Sequence, residues 1–235
     1  MLQVDNISKY FGEMSALSNV SFDVNEGEIF GIAGPNGSGK TTLFNVITGM
    51  LPYSGNITFN GLSISGLRPH QICHRGIGRT FQIPLIFSSM TVRQNLEIGA
   101  CFGNQGQKNI KRNVNELITL LGLQEKEDSV CSELNLFDQK TTMIAAALAT
   151  RPRLLLLDEP AGGLSPTEIE HLLELIRTVN QESGITVIII EHLMKVIMGV
   201  CQRLMILCYG EEICLGSPRE VAENKRVIDA YLGGD

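Results

Sequence analysis

Residues Gly34-Pro35-Asn36-Gly37-Ser38-Gly39-Lys40-Thr41 fit the pattern G-x-x-x-x-G-K-[ST], and no other stretch of the chain restricts its fold so tightly. The pattern carries meaning only between a strand and a helix. Both flanks comply: 29–33 is a short apolar run suited to a strand, and 40–50 places apolar residues at helical spacing. Gly49 and Pro52 supply stop signals for that helix. Glycines let backbone N–H groups turn inward around a polyphosphate, and a helix N-terminus favours the anion. The candidate phosphate-binding residues are therefore Gly34, Pro35, Asn36, Gly37, Ser38, Gly39, Lys40, Thr41 and the adjoining Thr42. Lys40 is placed to reach the β- and γ-phosphates of a nucleotide, and the Thr41 hydroxyl to ligate Mg²⁺.

The second constraint is Leu154-Leu155-Leu156-Leu157-Asp158-Glu159. A continuous apolar run suits a strand buried on both faces of a parallel sheet. Its tip carries two carboxylates. Asp158 can hold Mg²⁺, usually through water, and Glu159 can polarise an attacking water. Beyond it a helix is expected over 166–181, a strand over 186–190, a helix over 193–200, a strand over 203–207 and two helical pieces to the end. Strands alternating with helices imply an α/β fold with a mainly parallel sheet. Ahead of the loop, 2–7 and 20–24 read as strands, and 56–59 runs into Asn60-Gly61, a hairpin signal. The stretch 69–152 changes character, with helical spacing over 114–121 (Gly122 as its cap) and over 140–150.

The sequence also excludes several roles. With 43% hydrophobic and 19% charged residues, a chain of 235 residues buries a substantial core. A net charge of −6 argues against a nucleic-acid surface, and the densest basic stretch, 108–112, reads as a solvated helix face. The longest apolar runs, 185–190 and 204–209, fall well short of the roughly 20 residues that span a bilayer. The N-terminus shows no basic stretch followed by an apolar one, so a cytosolic or cytosol-facing protein is expected. Six cysteines without metal-ligand spacing are expected to be reduced and buried.

Taken together, these motifs resemble the ATP-binding cassette family over essentially the full length. The carriers are the phosphate loop, and Asp158-Glu159-Pro160-Ala161-Gly162-Gly163-Leu164 soon after an Ala-Leu-Ala stretch. The resemblance implies a P-loop NTPase (RecA-like) core, 1–68 and 153–235, with an antiparallel β subdomain. A helical subdomain, about 69–152, would be inserted within a single nucleotide-binding domain spanning 1–235. It implies ATP and Mg²⁺ as ligands. Phe11 resembles the aromatic that stacks on adenine, with Tyr10 as the alternative. Gln82, in Gly78-Arg79-Thr80-Phe81-Gln82, resembles the glutamine that contacts Mg²⁺ and the attacking water. His192, after Ile190-Glu191, resembles the histidine that hydrogen-bonds the γ-phosphate. The implied catalytic set is Glu159, His192, Gln82 and Lys40, and the implied metal set is Thr41, Gln82 and Asp158. His70, His74 and His171 match nothing and read as surface residues.

One element departs from the family pattern. The signature stretch, typically Leu-Ser-Gly-Gly-Gln, falls on Leu134-Asn135-Leu136-Phe137-Asp138, where only the leucine is kept. Phe137 is expected to crowd a phosphate where glycine permits close approach, and Asp138 to add negative charge near an anion. The next element, often Ser-Ala-Leu-Asp, reads Gly162-Gly163-Leu164-Ser165 and lacks the aspartate. These losses imply a heterodimer with a second ATPase subunit and unequal ATP sites. Gly78–Gln82, Glu191-His192-Leu193-Met194 and the ending Ala230-Tyr231-Leu232-Gly233 are similar to importer subunits for branched-chain and other hydrophobic amino acids. Related systems carry urea or short amides. The implied partners are membrane permeases and an extracytoplasmic binding protein, with 83–95 as the docking stretch and the cytoplasmic face of the membrane as the location.

Overall fold

The computed structural model describes residues 1–103 and 109–232, so Lys108 of the basic stretch and Gly233 of the C-terminal motif lie outside the described residues. Apolar alternation near the N-terminus produces an antiparallel sheet. Its strands are β1 (Leu2–Phe11), β2 (Met14–Val24), β4 (Ser54–Phe59) and β5 (Leu62–Ser63), in the order β2-β1-β4-β5. The bursts at 2–7 and 20–24 are parts of longer strands. Their outer ends are exposed, so no apolar alternation marks them. Between β4 and β5, Asn60 and Gly61 both take positive φ (51° and 75°), the backbone a two-residue hairpin demands.

The second sheet has six strands. They are β3 (Ile29–Ala33), β6 (Ile77–Arg79), β7 (Leu154–Asp158), β8 (Thr186–Ile190), β9 (Arg203–Cys208) and β10 (Glu211–Gly216), ordered β10-β9-β3-β8-β7-β6. Neighbours are parallel except β10, which runs antiparallel to β9. Two strands differ from expectation. β10 stands where the sequence suggested only helices, because a half-exposed edge strand shows no clear alternation. β6 lies inside the stretch expected to be mostly helical, yet it pairs with β7.

The four leucines of β7 show why the run is continuous. Leu155 and Leu157 enter one apolar core, and Leu154 and Leu156 enter another on the opposite face. Each buried leucine contributes about 1.5–3 kcal/mol, so both faces hold the strand in place. The helices complete the layers: α1 (Lys40–Ile47), α2 (Pro69–Arg75), α3 (Val92–Phe102), α4 (Ile110–Leu120), α5 (Leu136–Ala149), α6 (Pro166–Ser183), α7 (Met194–Val200), α8 (Pro218–Glu223) and α9 (Lys225–Leu232). Helices α3, α4 and α5 pack on one another.

Two helix starts bear on the site. α5 begins at Leu136 rather than 140, because Asn135 Oδ1 accepts from Asp138 N at 2.8 Å and caps it. α6 begins with a reciprocal cap between Ser165 and Glu168, followed by Pro166. Ser165 thus does locally what an aspartate there could also do. Cys131, Cys201 and Cys208 are buried and burial pushes the Cys201 thiol far up, but Cys101 is exposed, against expectation.

Candidate functional site

In the six-stranded sheet β8 stands between β3 and β7, so the carboxyl ends of all three strands share one edge. Ligands of open α/β sheets bind at that edge. Ala33 leads there into the loop 34–39, Asp158 ends β7, and Glu191-His192 follow β8. The loop hugs its surroundings. A side chain at Gly34 would meet Leu207 O at 2.0 Å. One at Gly39 (φ 104°) would meet Ala16 O at 2.5 Å. Glycine is required at both positions.

An open cleft of about 620 Å³ runs along the loop, lined by 36–42, Phe11, Gln82, Glu159 and His192 among others. Phe11 enters from the antiparallel sheet, with Lys9 Nζ 4.9 Å from its ring centroid. Tyr10, the alternative aromatic, is exposed and outside the cleft lining. Lys40 is 6% exposed, and its ammonium donates to Gly34 O (2.8 Å) and Pro35 O (2.9 Å). Burial pushes the Lys40 amine below its ordinary range, against the pull of Glu159, Asp158 and Glu191.

Three separated residues meet on one oxygen. Gln82 Nε2 donates to Glu159 Oε2 at 2.7 Å, and His192 Nδ1 lies 3.6 Å from the same atom. Glu159 itself takes φ 44°, unusual for a non-glycine residue. Asp158 sits deeper, outside the cleft lining, and burial raises its carboxyl above the usual range against the opposing pull of Arg79. Its Oδ1 is buried without a hydrogen-bond partner among the described residues, as is Ser38 Oγ beneath the loop. An orphaned carboxylate oxygen suits a hard cation that prefers oxygen ligands.

Arg79 is a residue that sequence reasoning missed. It donates from one terminal nitrogen to Asp158 Oδ2 at 2.8 Å. From the other it donates to Asn45 Oδ1 (2.7 Å) and Thr48 Oγ1 (3.1 Å), at the end of α1. Its guanidinium lies 5.5 Å from the Phe44 ring and 4.9 Å from the Phe81 ring. It therefore braces the phosphate-loop helix against the acid-bearing strand. The only signal was an arginine closing an otherwise apolar three-residue strand.

At the start of α5 the structure corrects two expectations. The Phe137 ring does not project as a blocking group. It is half-buried against the core, edge-on to the His171 ring of α6 with centroids 6.3 Å apart. The Asp138 carboxylate is buried and paired with Lys126, so its charge is already balanced. The bulky side chain left on the surface is Leu136, at the first glycine position of the family pattern.

With that geometry in place, the comparisons agree. The family described as "ABC transporter" matches residues 17–162, and one described as "Branched-chain amino acid ATP-binding cassette transporter" matches 211–235. The chain is similar to the high-affinity branched-chain amino acid transport ATP-binding protein LivG of Salmonella typhimurium. They are 36% identical over 249 residues, covering 99% of this chain and 98% of that one. BraF of Pseudomonas aeruginosa, of the same description, is 34% identical with the same coverage. A crystal structure of an ATP-binding cassette of an ABC transporter in its ADP conformation superimposes with TM-score 0.89 at 33% identity, covering 99% and 98% of the two chains. A dimeric ATP-binding cassette bound to ADP and Pi superimposes with TM-score 0.81 at 26% identity, covering 93% and 99%.

Proposed function

The chain belongs to the ABC transporter family, and from that premise we propose that it is the ATPase subunit of a branched-chain amino acid importer. The observation that carries the chemistry is the convergence of Gln82 and His192 on Glu159 Oε2 at the mouth of the phosphate cleft. Glu159 activates water there. Gln82 orients its carboxylate, and His192 is at hand for the terminal phosphate. The loop amides of 34–41 and Lys40 receive the phosphates, and Phe11 stacks on the adenine. Thr41, Gln82 and Asp158 would hold Mg²⁺ through oxygen, and the ion would supply positive charge to offset that of the phosphates. Positioning and charge neutralisation supply the catalysis.

The LivG and BraF relatives are branched-chain amino acid transport proteins, and the match at 211–235 points to the same substrate class. Among the described residues no helix is long and apolar enough to cross a membrane. We assign the chain a peripheral position on the cytoplasmic face, docked on permease subunits that work with an extracytoplasmic binding protein. Ile83 (72% exposed), Leu85 (64%) and Phe87 (55%) support 83–95 as the docking stretch, since they follow Gln82 directly and lie in the open. A dimer sandwiches ATP between one subunit's loop and the other's signature stretch. With Leu136 exposed in place of glycine, the site that uses this chain's signature turns over slowly, so the partner is a different ATPase subunit. Disrupting the gene for this chain should abolish high-affinity uptake of labelled leucine, isoleucine and valine while leaving urea uptake unchanged. The reverse pattern would sink the substrate assignment.

A further inference from the structure

Two charged side chains lie buried beside the turn that carries Glu159, with no part in the chemistry above. Lys140, in the second turn of α5, is 3% exposed, and Glu191, the first residue after β8, is fully buried. They grip one stretch of backbone from different elements. Lys140 Nζ donates to the carbonyl oxygens of Glu159 (3.3 Å) and Pro160 (2.9 Å). Glu191 Oε1 accepts from Ala161 N at 2.7 Å, while its own N–H donates to Ile32 O of β3 at 3.2 Å.

The backbone so held is strained. Glu159 occupies φ 44°, and its N–H is tied to Ile190 O at 2.9 Å. A strained residue persists only where its surroundings over-determine it, and such residues cluster at functional sites. Burial pushes the Lys140 amine down and the Glu191 carboxyl up from their ordinary ranges; the Glu191 charge opposes the first shift, and the Ala161 N–H and His192 oppose the second. Apolar side chains would fill this space without that desolvation, so packing alone gives no reason for two charges here.

We propose that Lys140 and Glu191 form a buried clamp that positions Glu159, and that Lys140 thereby ties the helix bearing the signature stretch to the water-activating turn. Both are positioning residues. The clamp rests on the reading of Glu159 as the residue that activates water. It gives α5 a mechanical role toward this chain's own site, separate from any phosphate contact made across a dimer. A shift of α5 on subunit closure pulls on two carbonyls whose geometry sets the direction of the Glu159 side chain.

The test uses the assembled transporter, isolated from its own membranes through a tag on this chain. ATP turnover is measured beside equilibrium binding of a fluorescent ATP analogue with Mg²⁺. Lys140→Met should lower kcat about ten-fold or more with affinity within about two-fold, the pattern of an interaction that matters only in the transition state. Lys140→Gln, which keeps an N–H donor, should recover part of that loss. Wild-type turnover in Lys140→Met overturns the clamp, and so does a parallel loss of turnover and affinity. If Lys140→Met does not assemble, Glu191→Gln decides. It keeps the acceptor for Ala161 N but removes the charge opposite Lys140, and an unchanged kcat overturns the proposal. Glu159→Gln is the control: turnover surviving that change removes the premise, and the clamp with it, whereas an inactive Glu159→Gln beside a fully active Lys140→Met defeats the clamp alone.

Discussion

At the ends of β3, β7 and β8, Lys40, Gln82, Glu159 and His192 from four separate segments meet across an open cleft, and two buried atoms beside them, Ser38 Oγ and Asp158 Oδ1, have no hydrogen-bond partner among the described residues. At the start of α5 the polar groups are spent on the chain itself. Asn135 caps the helix, Asp138 pairs with Lys126, and Phe137 packs against His171. One region is built to receive an anion, and the other is built to hold a helix in place. The difference teaches that a motif can lose its ligand-binding residues while its backbone role survives, because capping and packing need only side chains of roughly the right kind.

That contrast can be broken at its strongest point first. Glu159→Gln should lower ATP turnover about 10²–10⁴-fold, the range of a lost general base, while leaving nucleotide binding intact. Retained turnover in a single-turnover assay would place the chemistry elsewhere. Next in size, Arg79→Met should leave Asp158 buried and uncompensated beside Glu159, costing about 3–5 kcal/mol in denaturant unfolding. An unchanged midpoint would show that Arg79 does not brace α1 against β7. At the other region, Phe137→Gly should destabilise the fold by about 1–3 kcal/mol and leave the rate no higher, because the ring is packed rather than projecting. Leu136→Gly should do the opposite, raising turnover of the assembled transporter a few-fold by restoring close approach at the exposed position. A rate gain from Phe137→Gly and none from Leu136→Gly would reverse our assignment of the blocking group. Smallest, Ser165→Ala should cost about 1 kcal/mol through loss of the α6 cap, with kcat unaltered.

Much of the first region was legible in the sequence, and for a physical reason. A loop that wraps phosphate needs glycine at fixed points, and a doubly buried strand needs an unbroken apolar run. Both demands write themselves into consecutive residues such as 34–41 and 154–159. Gln82 and His192 were placed by family resemblance, and their meeting on one Glu159 oxygen is a fact of three dimensions. Arg79, Lys140 and Glu191 were not singled out, because what distinguishes them is burial beside a partner distant in the chain. The α5 start was misread for the opposite reason. Asn135 ahead of an apolar residue is an N-cap signal, but the family pattern drew attention to the missing glycines instead. β10 escaped because a half-exposed edge strand of six residues carries too little alternation to stand out.

The place of β8 in the sheet has a consequence for the chain as it is made. The phosphate loop leaves the ribosome early and the acid-bearing strand much later, and the strands that carry them, β3 and β7, are not neighbours in the sheet. β8 must be inserted between them, with Ile190 O accepting from Glu159 N and Glu191 N donating to Ile32 O. Two strand spacings, about 10 Å in all, separate β3 from β7, and that late segment fills the gap. A nascent or prematurely ended polypeptide that stops short of it owns a nucleotide loop and a carboxylate without the strand that spaces them in the sheet, and has the Arg79 brace alone to join them.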